Sequence, residues 1–199
     1  MNKSEEFISY CHQGDLENAK KLLPSVNINS ANKIGQGALL TFHPSVTSFL
    51  LENGANPDLQ FNENGATVLA GLSHARKSEC VRMLLEYGAD PDEGRKKSGE
   101  TPLHHVFAED YQIVDLLLDA GADPNKKAKR GVISFNYGGD VRVRGETPFH
   151  RAAAYGSAEI IDRFLQSGAK KDIRDANGDS PLSWALLHRR NKEVLEMLS

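Results

Sequence analysis

The chain repeats itself at a fixed interval. Thr101-Pro102-Leu103-His104, Thr147-Pro148-Phe149-His150 and Ser180-Pro181-Leu182-Ser183 are variants of one phrase. A second phrase recurs as Gly54-Ala55-Asn56-Pro57, Gly88-Ala89-Asp90-Pro91 and Gly121-Ala122-Asp123-Pro124, with Gly168-Ala169-Lys170-Lys171 as a looser copy. Gly54, Gly88 and Gly121 lie 34 and 33 residues apart, Thr67 and Thr101 are separated by 34, and Thr147 and Ser180 by 33. A period of this length leaves few folds open. One unit is too small to bury an apolar face alone, so units must stack on their neighbours as a solenoid. Such stacks expose long surfaces suited to binding.

Each phrase has a local physical meaning. The hydroxyl of Thr101 or Thr147 can cap the free amides of a first helical turn. The proline that follows sits where its missing N–H is not needed. Glycine at 54, 88, 121 and 168 ends a helix, because it enters the left-handed conformation without a Cβ clash. The runs Cys80-Val81-Arg82-Met83-Leu84-Leu85 and Ile113-Val114-Asp115-Leu116-Leu117-Leu118 have the apolar spacing of helices. Each unit therefore reads as helix, turn, helix and a loop. The loop tips are Asn64-Gly65, Ser98-Gly99, Arg144-Gly145 and Asn177-Gly178, and Asn-Gly suits a turn with positive φ at both central residues.

These phrases, the small pair Ala152-Ala153 and the period resemble those of ankyrin-repeat proteins, over nearly the whole chain. The resemblance implies an all-α helical repeat solenoid. It would be a stack of helix-turn-helix units whose turns project as β-hairpin fingers, with inner helices and fingers lining a concave, protein-binding face. It also implies that His104 and His150 are structural and hydrogen-bond between turns. One ankyrin-repeat domain is expected over 1–199, with repeats at about 4–34, 35–64, 65–98, 99–144, 145–177 and 178–199. The first is a diverged starter without Thr-Pro. The second is short, with its first helix truncated and Pro44 opening the second. Lys3, Glu5, Glu6, Glu17, Lys20 and Lys21 at one end, and Arg189, Arg190, Lys192, Glu193 and Glu196 at the other, can supply the polar outer faces that end units need.

One unit breaks the period. Thr101 to Thr147 is 46 residues, about 13 more than one repeat, and the excess falls within an insertion at about 126–144. There two β-rich runs flank Gly138-Gly139, which predicts a β-hairpin finger with Phe135 opposite Arg142 and Asn136 opposite Val141. Residues 126–144 carry six Lys/Arg and one Asp, a net of +5, although the whole chain is at −3. Arg95, Lys96 and Lys97 in the preceding finger, and Lys170, Lys171 and Arg174 in the following one, extend this charge. Asp92, Glu93, Asp123, Asp172 and Asp175 dilute it.

Composition narrows the rest. No apolar run approaches the length of a membrane span. The start lacks a signal-peptide pattern. Cys11 and Cys80 fall on core positions of different repeats, so a disulfide framework is not expected and a cytoplasmic location is. No Cys-x-x-Cys or His-Glu-x-x-His spacing offers a zinc site, and neither cysteine has a visible activating base. His74, His105 and His188 lie on or near inner helices, where surface or binding roles are expected. His12 and His43 have no assigned role.

The chain is accordingly expected to be non-catalytic, without cofactor, monomeric, and to bind a protein partner, one with an acidic surface if the insertion takes part. The resemblance places partner contacts at Lys97, Ser98, Glu100, Arg144, Glu146, Tyr155, Asn177, Asp179 and His188. The insertion adds Phe135, Tyr137 and Arg142. Alternatives are nucleic-acid or anionic-lipid binding through the basic fingers, against which overall acidity weighs, and an effector or inhibitor that occupies a target enzyme.

Overall fold

The computed structural model describes residues 2–61, 65–106, 110–132 and 144–199. The expected pairing of Phe135 with Arg142 lies outside the described residues. The helices are α1 (Lys3–Gln13), α2 (Leu16–Leu22), α3 (Pro44–Glu52), α4 (Val68–His74), α5 (Ser78–Glu86), α6 (Pro102–His105), α7 (Tyr111–Asp119), α8 (Pro148–Tyr155), α9 (Ala158–Gln166), α10 (Pro181–Leu187) and α11 (Lys192–Leu198). They form two layers. α4 packs on α6, α6 on α8 and α8 on α10, while α3, α5, α7, α9 and α11 stack in that order. The members of each pair also pack together, which makes a helical repeat solenoid.

The core runs unbroken between the layers. Phe7, Leu50, Leu69, Leu84, Ile113, Leu117, Phe149 and Phe164 are all fully buried. Phe149 and Phe164, from the two helices of one pair, stack at 5.7 Å and 22°. The first helices α4, α6, α8 and α10 start on the repeated phrase. Thr67 Oγ1 accepts from the N–H of Ala70 at 3.1 Å, and Ser180 Oγ from that of Ser183 at 3.1 Å. α1, which lacks Thr-Pro, uses Asn2 instead, whose Oδ1 accepts from the N–H of Glu5 at 2.8 Å.

The Gly-Ala phrase closes the second helices in one way. The N–H of Ala55, Ala89, Ala122 and Ala169 reaches back to the carbonyl of Leu50, Leu84, Leu117 and Phe164 at 2.9–3.0 Å, across a glycine with φ of 84–91°. The next acceptors then tie one unit to another. Asn29 Oδ1 takes the N–H of Asn56, Asp58 that of Asp90, Asp92 that of Asp123, and Asn125 that of Lys170, at 2.8–3.1 Å. Asp92, expected only to dilute the basic charge, is thus a rung of this ladder.

Two local expectations need correction. The tips Ser98-Gly99, Arg144-Gly145 and Asn177-Gly178 are not turns with two positive-φ residues. Gly65, Gly99, Gly145 and Gly178 have φ of 65–89°, and the non-glycine residues with positive φ among those described are Arg76 and Arg189. One left-handed residue suffices because the fingers are mostly irregular. The described strand pairing is Gln60–Phe61 (β1) with Ala66–Thr67 (β2). Second, His105 is buried, with 1% exposure, and has no open surface for a binding role. α6 spans Pro102–His105. Thr101 and Gly121 are 20 residues apart, against 21 for Thr67–Gly88 and Thr147–Gly168, so this unit is one residue short ahead of α7, which keeps its full nine residues. In the second unit no helix precedes α3, and Pro44 opens α3 as expected.

Candidate functional site

Fingers are closed at their base by a backbone bond: Asn32 N to Gln36 O, Arg95 N to Glu100 O and Asp175 N to Asp179 O, each at 2.9 Å. The insertion leaves from the same base, because Ala128 N bonds Glu146 O at 2.9 Å. Extra chain is therefore admitted at the tip without disturbing the helices beneath. Neighbouring fingers are bonded edge to edge, Lys129 N to Ser98 O at 2.7 Å and Ala176 N to Arg144 O at 2.8 Å.

This contact aligns basic side chains. Lys96 lies so close over Gly65 that a Cβ there would meet it at 2.9 Å. Lys129 Nζ donates to the carbonyl of Lys96 at 2.7 Å, and Lys126 Nζ to that of Asp92 at 2.8 Å. Lys97, Lys127, Arg130, Arg144, Lys171 and Arg174 are exposed beside them. Lysines of two neighbouring fingers thus meet edge to edge, with Arg144 and Arg174 exposed on the next pair of edges, while Lys171 Nζ turns to the carbonyl of Ser199.

His104 and His150 bond between turns as the resemblance implied. Nδ1 of each accepts the N–H of its own threonine, at 3.0 and 3.2 Å, which places the ring proton on Nε2. Nε2–H then donates to the next finger, to Glu146 O at 3.3 Å and to Asp179 O at 3.1 Å. Burial, with the nearby Arg151 charge next, holds His104 well below the usual imidazole range. Burial also lowers His150. Both rings stay neutral near pH 7.

Beneath the fingers lies a charge cluster that sequence reasoning missed. Arg151, 7% exposed, donates from Nη2 to Glu100 Oε1 and Glu146 Oε1, both at 2.6 Å, from Nε to Glu146 Oε1 at 3.1 Å, and from Nη1 to His104 O at 2.8 Å. Ser98 Oγ donates to Glu100 Oε2 at 2.7 Å, and the Arg144 N–H to Glu146 Oε2 at 2.6 Å. Ser98, Glu100 and Glu146 are buried, at 2%, 0% and 3% exposure, so their side chains are not open to a partner as expected. They are occupied in joining two fingers to α8. The available signal was a cation at the position after His150, matched by a glutamate before each threonine of 101 and 147.

Other expected positions come together on the finger side of α8 and α10. Tyr155 and His188 meet edge to face at 4.7 Å, and Trp184 lies 6.4 Å from His188. The Arg144 guanidinium sits 5.6 Å from the centre of a Trp184 ring. Trp184 was not anticipated, although it holds the place in its phrase that Arg151 holds in another. Burial, then Arg144 and Arg190, lower the His188 pKa. Arg190 caps the end of α8 through the carbonyls of Ala153 and Gly156. Lys97 is exposed on a separate finger. Asn177 is exposed at the last tip, and Asp179 is half-buried at its base. Phe135, Tyr137 and Arg142 lie outside the described residues. A cleft of about 390 Å³ between α1 and the first finger, lined in part by His12, Asn32 and Ile34, is distant in sequence from these groups.

Cys11 and Cys80 are free and buried. Burial pushes the Cys11 thiol up to about 12 and raises that of Cys80. No helix among the described residues is long and apolar enough to cross a membrane.

Comparison with known proteins agrees with the architecture. The family model for ankyrin repeats (3 copies) matches residues 7–128 and 129–199. The chain is 32% identical over 130 residues to ankyrin repeat protein FPV014 of Fowlpox virus, covering 65% of this chain and 26% of that one. It is 28% identical over 159 residues to the B-cell lymphoma 3 protein homolog of Mus musculus, covering 78% and 32%. It thus spans about a third or less of these relatives. Its fold is similar to that of a chain in the complex of the Bd0816 predatory endopeptidase from Bdellovibrio bacteriovorus with immunity protein Bd3460, with a TM-score of 0.77 and 22% identity over 96% of this chain and 95% of that one. Ankyrin repeats are generally protein-interaction modules. With family matches that together run from residue 7 to 199 and the Thr/Ser-Pro phrase opening α6, α8 and α10, this chain belongs to the ankyrin-repeat family.

Proposed function

We propose that this chain is a non-catalytic, monomeric binding module that holds a protein partner against its concave face and finger tips, and that the partner presents an acidic surface there. The observation that carries the reading is the meeting of lysines across two bonded fingers, with Lys129 Nζ on the carbonyl of Lys96 and Lys97, Lys127 and Arg130 exposed beside it. Aligned charge of one sign speeds encounter with a surface of the opposite sign and disfavours other partners. Of the twelve contact positions anticipated, Lys97, Arg144, Tyr155, Asn177 and His188 remain exposed candidates. Two buried, reduced thiols suit the cytoplasm.

The effector or inhibitor reading is favoured by one specific finding. The similar fold described above occurs in a complex of a peptidase with an immunity protein. In that reading the partner is an enzyme whose active-site rim faces the fingers.

Hydrogen exchange on the complex with a purified partner tests the binding face. Protection of the fingers and of α8 and α10 is the expected result. Protection confined to α5, α7 and α9 would place the partner on the opposite layer and overturn the reading.

A further inference from the structure

Arg144, Tyr155, Trp184 and His188 converge from the base of the inserted finger, the end of α8, and α10. The indole is held from behind. Its Nε1–H donates to Asp175 Oδ2 at 3.1 Å, and His150 contacts its edge at 5.6 Å. Asp175 is itself fixed, accepting at Oδ1 from the N–H groups of Asn177 and Asp179 at 2.8 and 2.9 Å. Trp184 is 8% exposed, whereas Tyr155 is 46% exposed and Arg144 and His188 are open to solvent. A fixed aromatic floor therefore carries a guanidinium and an imidazole at its rim.

The charges there are not spent. Glu146, two residues from Arg144, gives Oε1 to Arg151 and Oε2 to the Arg144 backbone N–H. Asp175 is occupied by Trp184 and by its own turn. Among the described residues no carboxylate pairs with the Arg144 guanidinium, whose contact is the indole face. A guanidinium stacked on an aromatic ring keeps its edge N–H groups free for an acceptor, and its planar fork matches a carboxylate.

We propose that these four residues form an anchoring subsite for a partner segment that presents a carboxylate beside an aromatic or large apolar side chain. Arg144 and His188 receive the carboxylate. Tyr155 receives the apolar group, and the buried Trp184 is the floor that holds Arg144 and His188 in place. A polyanionic strand fits less well, because Asp172 is exposed and Asp179 half-exposed on the same finger. The subsite deepens the protein-binding reading and rests on it.

Trp184 is the only tryptophan of the chain, so its emission reports directly on the subsite. The probe is a blocked peptide, acetyl-Gly-Phe-Asp-Glu-Phe-Gly-amide, titrated beside its Asn/Gln analogue, an analogue with Ala for Phe, and oligothymidylate. The acidic aromatic peptide is expected to give a saturable change. Each analogue, and each of the variants Arg144→Gln, Tyr155→Ala and His188→Ala, is expected to bind about five- to tenfold more weakly, the size of one lost charge-assisted or stacking contact. Thermal midpoints of these exposed-site variants serve as the check on folding. No saturable change, equal binding of the Asn/Gln analogue, or tighter binding of oligothymidylate would overturn the proposal. A protein partner that binds the Arg144→Gln, His188→Ala double variant as tightly as the wild type also overturns the subsite, and leaves the broader reading intact. Peptide binding with the expected variant pattern supports the subsite, even if hydrogen exchange places a whole partner on the other layer.

Discussion

Arg151 Nη2 donates to Glu100 Oε1 at 2.6 Å, across 51 residues of sequence and from the start of one helix pair to the finger of the pair before it. The same nitrogen also reaches Glu146 Oε1 at 2.6 Å, so one guanidinium clamps the bases of two fingers. Arg95 adds a second guanidinium near Glu100, and burial lowers its pKa against the pull of that carboxylate. The cluster is costly to dehydrate and costlier to break. Arg151→Met removes the cation that the two buried carboxylates share and is expected to destabilise the chain by about 3–5 kcal/mol. The triple variant Glu100→Gln, Glu146→Gln, Arg151→Met removes the three charges of the Arg151 clamp, with Arg95 kept, and should lose less than the single change. Urea unfolding of both variants checks the order. A triple variant at least as unstable as the single one contradicts it.

Acid sensitivity follows from the turn histidines. Burial lowers the pKa of His104 and His150 in the folded chain, while unfolded imidazole titrates near about 6.5. Below that pH the unfolded chain binds protons that the folded one refuses. Stability is therefore complete above about pH 6.5 and is lost as pH falls through that value, by up to about 1.4 kcal/mol per pH unit for each histidine. Urea midpoints between about pH 7.5 and pH 5 should show this fall, and His150→Gln should flatten it.

Left-handed positions give a paired test. A Cβ at Gly88 would meet nothing within 4 Å, yet its φ is +85°. Gly88→Ala is then expected to cost about 1 kcal/mol from backbone conformation alone. Arg189 stands at φ 53° without being glycine. Arg189→Gly should relieve that strain and gain up to about 1 kcal/mol, less the added freedom of the unfolded chain. Thermal unfolding of the two variants should move in opposite directions.

Thiol chemistry should report on unfolding. Cys11 has no exposed surface, and its thiol is pushed up to about 12. Cys80 is equally enclosed, and the Thr47 hydroxyl lies 3.4 Å from its sulfur. Since the thiolate is the reactive form, neither should react with an aromatic disulfide reagent at neutral pH until the chain unfolds. Rapid labelling of either thiol in the native chain would contradict the packing.

Much of the fold was legible because its signals are local and repeated. Thr67, Thr147 and Ser180 cap from within one turn, and Gly88 or Gly121 ends a helix by its own φ. The candidate site was less so. Ser98, Glu100 and Glu146 occupy positions where the resemblance puts partner contacts, but Arg151 turns them inward from a distant part of the chain. Nothing in the spacing distinguishes a finger glutamate that faces solvent from one that meets a buried guanidinium. Trp184 escaped notice for a related reason: its partners Arg144, His150 and Asp175 come from other segments and meet it only when the units stack.

The central claim is that the basic finger edges recognise an acidic protein surface. Its most direct test is the association rate of a purified partner with the wild type and with Lys97→Glu, Lys127→Glu, Arg130→Glu, followed at low and high salt. The account predicts an association rate at least about tenfold slower for the variant at about 50 mM salt, with the gap closing as salt screens the charges. Equal rates for the two proteins at low salt would contradict it.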